Sequence, residues 1–331
     1  MDFLKRLEKH SLEGKIPSKL VQILHKFYAS YAEAIAHKGL QIASYEPVLQ
    51  QFLDLVLEQL ETPYSFEPFH QHITTPFDYY RFGLDLLRPL VLFDSSKALG
   101  LEYVDIMAQQ ISKKENVILL ANHQTEPDPQ AISLLLEHTH PKFAKEMIFI
   151  AGHRVITDPL AVPFSKGRNL LCIYSKKHIE TPPELKQDKL LHNQRTMKKM
   201  IQLLSEGGKC IYVAPSGGRD RPNAAGEIAI APFDPSSVEM FWLMTQQAER
   251  PTHFYPLALA TYRLLPPPNS VEKELGETRQ AQCTPIHLAF GNEIDMVNFP
   301  GSKELEKKQK RKKRADYIYD LVRNLYKTIK T

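Results

Sequence analysis

Five short apolar runs, most of them separated by stretches with helical spacing, constrain this chain more than any other feature. Val117-Ile118-Leu119-Leu120-Ala121 is the first, and residues 147–151, 170–174, 210–214 and 254–260 follow. A strand that is apolar at nearly every position must be covered on both faces. Strands of that kind alternating with helices form a buried, largely parallel sheet. The expected fold class is therefore α/β, a largely parallel mixed sheet flanked by helices, with helical stretches also expected at 79–92 and 96–111.

The first third of the chain has a different grain. Leu20, Leu24, Phe27, Tyr31 and Ile35 recur at helical spacing and stop at Gly39, a residue suited to the left-handed end of a helix. Leu49, Phe52, Leu53, Val56 and Leu60 recur again between Pro47 and Pro63. Three prolines between residues 62 and 76 then break the pattern. The expected organisation is a small N-terminal helical domain over 1–75 and an α/β catalytic domain over 76–331.

Several classes of protein are excluded at this level. With 43% hydrophobic and 24% charged residues in 331, the chain has ordinary globular composition rather than that of a disordered one. Mean hydropathy is −0.33 and no apolar run approaches bilayer length, so no transmembrane helix is expected. The opening residues mix both signs of charge and lack a signal-peptide core. Cys172, Cys210 and Cys283 are far apart, without disulfide or zinc spacing, and suit a reducing, cytoplasmic compartment. The formal charge of +4 is unevenly placed: residues 303–314 hold eight basic and two acidic side chains, so the remainder is net −2. A nucleic-acid partner is disfavoured, and attention falls on one local basic segment.

Three strand ends deliver polar clusters. Asn122-His123-Gln124-Thr125-Glu126-Pro127-Asp128-Pro129 follows the first run, Ser175-Lys176-Lys177-His178 the third, and Pro215-Ser216-Gly217-Gly218-Arg219-Asp220-Arg221-Pro222 the fourth. Ligands of open α/β sheets bind beyond the carboxyl ends of strands, so the three clusters read as one site. A His-x-x-x-x-Asp pattern occurs twice, at His123/Asp128 and His153/Asp158, each time ending in Asp-Pro. Periodicity does not choose between the copies, and either Asp equally suits a helix N-cap. Gly217 and Gly218 allow a tight turn whose amides could face an anion. In an extended segment Arg219 and Arg221 point to one side and match the oxygens of a phosphate, although a solvated Arg-Asp-Arg turn has the same sequence. Lys177 and His178 add donors. A base beside phosphate-binding side chains indicates a small phosphorylated substrate with a hydroxyl to be activated.

The runs Asn122 through Asp128, Gly167-Arg168-Asn169-Leu170, Tyr174 through His178, Ala214 through Pro222, Ala231-Pro232-Phe233-Asp234-Pro235-Ser236-Ser237-Val238 and Leu265-Pro266-Pro267-Pro268 together resemble the soluble, plastid-type glycerol-3-phosphate 1-O-acyltransferases. Where the wider glycerolipid acyltransferases carry Pro-Glu-Gly-Thr-Arg, this chain has Pro215-Ser216-Gly217-Gly218-Arg219, as in the soluble branch. The resemblance implies that His123 is the general base and Asp128 the carboxylate that orients it. It also implies that Lys177, His178, Arg219 and Arg221 contact the phosphate of glycerol-3-phosphate, and that His153 has no catalytic role. The acyl donor would be acyl carrier protein or acyl-CoA, the product lysophosphatidate, and no metal or other cofactor is expected. The alternatives are a lysophospholipid acyltransferase sharing the His-Asp pair and a non-enzymatic anion-binding protein.

Two sequence features lie outside that core. Cys172 and Cys210 are the candidates for an acyl-enzyme route, but both sit in apolar strands, where a thiol is usually inert. The basic run from Lys307 to Arg314 leads into Ile318, Leu321, Val322, Leu325 and Ile329 at helical spacing. Three readings are open for it: a docked terminal helix with a solvated basic start, a surface for an acidic carrier protein, or a peripheral contact with anionic membrane.

Overall fold

In the computed structural model the described residues are 2–174, 179–268, 277–303 and 305–330. Three helices open the chain: α1 (Phe3–Leu12), α2 (Ser18–Ala36) and α3 (Glu46–Glu61). Leu20, Leu24, Phe27, Tyr31 and Ile35 are all buried, as their spacing predicts. Gly39 has φ +70, and the amides of Gly39 and Leu40 close on Ala36 O and Ile35 O, a Schellman ending that satisfies carbonyls the helix cannot. Glu46, at the start of α3, accepts from Phe3 N and Tyr28 Oη and so ties the three helices together.

The remaining chain follows as β1 (Phe69–His70), α4 (Tyr79–Leu87), β2 (Lys97–Leu99), α5 (Leu101–Ser112), β3 (Asn116–Ala121), α6 (Asp128–Leu136), α7 (Pro141–Glu146), β4 (Ile148–Gly152), α8 (Val162–Ser165) and β5 (Asn169–Ile173). Then come α9 (Lys186–Glu206), β6 (Cys210–Val213), β7 (Arg221–Pro222), β8 (Ile228–Ala229), α10 (Pro235–Gln247), β9 (Thr252–Ala260), β10 (His287–Phe290) and α11 (Lys307–Ile329). Eight strands form one mixed sheet in the order β1-β5-β4-β6-β3-β9-β10-β2, and β7 pairs with β8 in a separate ribbon. The five strands read from the sequence run parallel to one another, with β3 central between β6 and β9. Every residue of β3 is buried, as a strand covered on both faces requires.

The two faces carry different helices. Ile118, Leu120, Ile211 and Val213 pack under α9, α10 and α11, whereas Val117, Leu119, Leu257 and Leu259 pack under α5 and α6. A third cluster joins the N-terminal helices to α4 and α6 through Phe27, Phe52, Phe82, Leu86 and Leu134. Among the described residues no helix is long and apolar enough to cross a membrane.

The terminal helix α11 buries Ile318, Val322 and Ile329, so its apolar stripe is docked, as the first of the three readings has it. The basic run preceding that stripe is not uniform, however. Arg314 is 6% exposed, forms an ion pair with Glu239, donates from Nε to Met296 O at 2.8 Å and lies against the Trp242 and Phe299 rings. It is a core residue. Lys307, Lys308, Lys312 and Lys313 are the exposed members.

The sequence pattern places a helix from residue 96, but residues 97–99 form β2, parallel to β10. Gly100 makes the exchange: it has φ +75, and a Cβ there would stand 2.2 Å from Phe290 O. Gly100→Ala adds both strain and a backbone clash, and is expected to cost about 2–4 kcal/mol in urea denaturation. Gly152→Ala, with nothing within 4 Å of the added carbon, should stay within about 0.5–1 kcal/mol of the parent.

Candidate active site

Strands β3, β4, β5, β6 and β9 all run the same way, so their carboxyl ends share one sheet edge. At the end of β3, Asn122 pairs with the backbone of Leu259 on β9, and Tyr212 Oη donates to Asn122 O at 2.6 Å. His123 follows, its side chain 31% exposed, while the Asp128 side chain is 1% exposed. His123 Nδ1 lies 2.8 Å from Asp128 Oδ2. The same carboxylate accepts from Gln124 N at 2.8 Å, Thr125 N at 3.3 Å and Thr261 Oγ1 at 2.5 Å. Asp128 lies within the first turn of α6 with Pro127 at the cap, so its side chain turns back on the loop instead of capping the helix. With Nδ1–H given to a carboxylate, a neutral imidazole carries its lone pair on Nε2.

The second His-x-x-x-x-Asp copy is built otherwise. Asp158 accepts from Leu160 N at 2.9 Å, in a turn, and from Arg279 Nη2 at 3.2 Å. Arg279 also holds both oxygens of Glu126, so it bolts the second copy to the first. The His153 ring stacks on Tyr174, with centroids 4.5 Å apart.

The loop after β6 arrives beside His123. Gly217 takes φ +63 and spends its amide on Ala214 O, inside the turn and not toward an anion. Arg221 lies in β7, extended as the following proline predicts. Its Nη1 donates to Pro268 O at 2.8 Å. Burial, and then the neighbouring charge of Arg219, push its guanidinium below the usual arginine range. Arg219 Nη2 donates to both oxygens of Glu277, at 2.8 and 2.6 Å, and Arg154 Nη1 reaches the same carboxylate at 2.6 Å. Between the arginines, Asp220 is fully buried. Lys177 and His178 lie outside the described residues.

A cavity of about 120 Å³ opens beside His123, lined by Phe149, Phe164, Leu170 and Tyr212, with Arg168 among them. Arg168 is 2% exposed, donates to Ser133 Oγ at 2.6 Å and stacks on Tyr80. Burial pushes its guanidinium down to about 10. Cys172 and Cys210 are buried core thiols; burial pushes Cys172 up to about 12 and Cys210 further still, which disfavours a thiolate nucleophile.

Thr261, Gln124, Asp220, Arg154, Arg168 and Glu277 are parts of the site to which the sequence assigns no role. Thr261 had a usable signal, since it is the polar residue directly after an apolar strand, like Asn122 after β3. Glu277 had none: it stands 123 residues from Arg154 and 58 from Arg219 along the chain.

A family model described as Acyltransferase matches residues 104–260, which covers β3 through β9 and the His123/Asp128 pair. Chloroplastic glycerol-3-phosphate acyltransferases align with most of the chain. The protein of Spinacia oleracea is 42% identical over 89% of this chain and 63% of its own length. That of Arabidopsis thaliana is 40% identical over 89% and 65% respectively. That of Pisum sativum is 39% identical over 100% and 73%. The chain thus spans about two thirds of the length of these relatives. With the identity sustained across the whole chain and the His-Asp pair inside the matched segment, the chain belongs to the glycerol-3-phosphate acyltransferase family.

Proposed function

We propose that this chain transfers a fatty acyl group from a thioester to the 1-hydroxyl of glycerol-3-phosphate, giving lysophosphatidate. The observation that carries the reading is a histidine oriented by a buried carboxylate at the sheet edge, with the Arg219-Asp220-Arg221 segment fastened beside it through Asp220 N and His123 O. His123 Nε2 takes the hydroxyl proton while Asp128 fixes the tautomer and steadies the imidazolium. The alkoxide oxygen forms its bond to the thioester carbonyl carbon, and the carbon–sulfur bond breaks as the thiolate leaves. Thiolate departure needs little acid assistance, so one base suffices and no cofactor beyond the acyl thioester enters. Arg219 and Arg221 hold the phosphate, with Lys177 and His178 as further donors, and the apolar cavity beside His123 receives the first carbons of the acyl chain. Incubating the protein with glycerol-3-phosphate and radiolabelled acyl thioester, and finding the position of the ester formed, tests the reaction directly. Absence of 1-acyl product overturns it.

His123→Ala should lower turnover by roughly 10²- to 10⁴-fold while the melting temperature stays near that of the parent. His153→Ala should keep most of the turnover, because Asp158 serves Arg279. Turnover and thermal melting of both variants decide between the two histidines.

Either arginine changed to Ala should raise the KM for glycerol-3-phosphate by about tenfold or more and leave the acyl-donor KM near its starting value, the loss of a charge-assisted pair. Lysine at either position should restore only part, since a point charge lacks the planar fork. Steady-state kinetics with each substrate varied in turn provides the check.

The donor is acyl carrier protein in this reading, because Lys307, Lys308, Lys312 and Lys313 stand exposed on the first turns of α11. Replacing these four with Gln should raise the KM for the acyl carrier protein substrate several-fold, flatten its salt dependence and leave acyl-CoA kinetics alone. Unchanged carrier kinetics together with lost binding to anionic vesicles would assign the lysines to membrane contact instead.

A further inference from the structure

Asp220 is a buried titratable side chain beside the site that the proposed chemistry leaves without a task. It lies between Arg219 and Arg221, and in an extended segment its side chain points opposite to theirs, into the protein. Its Oδ2 accepts from Asn122 Nδ2 at 2.7 Å and Gln124 Nε2 at 3.1 Å, and its Oδ1 from Ala231 N at 2.9 Å. Asn122 and Gln124 are the two neighbours of His123 in the chain. The backbone completes the junction, with Asp220 N donating to His123 O at 2.7 Å. Two three-residue segments are thus fastened face to face: the outer residues of Asn122-His123-Gln124 grip the middle residue of Arg219-Asp220-Arg221.

We propose that Asp220 is a positioning residue that sets the distance and register between the base His123 and the arginine pair, so that one substrate spans both. The proposal rests on the function proposed above. In glycerol-3-phosphate the reacting hydroxyl and the phosphate sit at opposite ends of a three-carbon frame, and the site must match that fixed separation. A single carboxylate oxygen shared by the two residues beside the base is a short, stiff link for the purpose. Only a carboxylate can do this, because all three of its side-chain contacts are N–H donors and both oxygens are occupied as acceptors. Burial pushes the Asp220 carboxyl up to about 6, and the bonds from Asn122, Ala231 N and Gln124 oppose that rise, so it is mainly ionised at neutral pH.

Asp220→Asn keeps the shape but turns one acceptor into a donor, so at least one of the three bonds is lost in either amide orientation. The expected result is a folded protein in which kcat falls and the KM for glycerol-3-phosphate rises, each by about tenfold or more, with the acyl-thioester KM unchanged. That joint displacement differs from His123→Ala, which acts on kcat, and from Arg221→Ala, which acts on KM. A folded Asp220→Asn protein with both parameters within about threefold of the parent overturns the proposal. So does a lower melting temperature with parental kinetics below it, since the residue would then be structural only. Should Asp220→Asn fail to fold, Gln124→Leu removes one donor to the carboxylate, together with the acceptor of Thr261 N and Tyr262 N, and must move kcat and KM together; movement of neither overturns the proposal as well. An inactive parent protein would refute the proposed function itself, whereas an active parent with an indifferent Asp220→Asn refutes only the positioning role.

Discussion

A carboxylate taken out of water has to be surrounded by donors, and in this protein that requirement organises the edge of the sheet. Asp128 gathers His123 Nδ1, the amides of Gln124 and Thr125, and the Thr261 hydroxyl. Those donors come from the loop after β3 and from the end of β9, and α6 starts at the acceptor itself. The parallel pairing of β3 with β9 brings Thr261 to the same edge as His123. Leaving such a group unpaired would cost several kcal/mol, so the geometry of the base is tied to the fold of the central sheet. The imidazole is oriented by the same contacts that close the core.

The second level of order is ionic. Arg279 joins Glu126 to Asp158, and Glu277 joins Arg154 to Arg219. Each is a carboxylate–guanidinium contact between segments far apart in the chain, placed where loops from different strands would otherwise be independent. Bidentate and shared pairs of this kind restrict loop geometry more than their net energy implies, because the planar fork has few acceptable partners. The loops of the site are accordingly held in register with one another as well as with the sheet.

Much of this was legible in the residues, for identifiable reasons. The five parallel strands could be read because burial on both faces leaves an uninterrupted apolar run, as in 117–121 and 210–213. Strands β1, β2 and β10 could not: they are two to four residues long and carry His70, Lys97 and His287, so they look like loop or helix. Residues 97–99 have nothing against a helix locally, and only pairing with β10 makes them a strand. Asp128 could be taken from its residues equally as a cap or as a partner for His123, since both roles demand the same residue at the same place, and the family resemblance alone implied the partnership. The extended backbone at Arg221 was legible from the proline after it; Glu277 was not, because its role depends on contacts that no spacing encodes. Arg314 shows the reverse failure. Within a run of lysines and arginines its burial is invisible, and its contacts with Glu239, Met296 O and the Trp242 and Phe299 rings set it apart from its solvated neighbours.

The sheet that carries the site ends at both margins in a fragment. On one side it closes with two residues, 69 and 70, and on the other with three, 97 to 99. A long flat margin of unpaired amides and carbonyls is a template on which another molecule's strand can grow, and central strands as apolar as these would be hazardous if laid bare. Here the outermost strands offer at most one or two backbone pairs, and the Lys97 side chain is exposed on one of them. The polar residues that make those fragments hard to recognise in the sequence also leave the sheet with little on which intermolecular β-aggregation could begin.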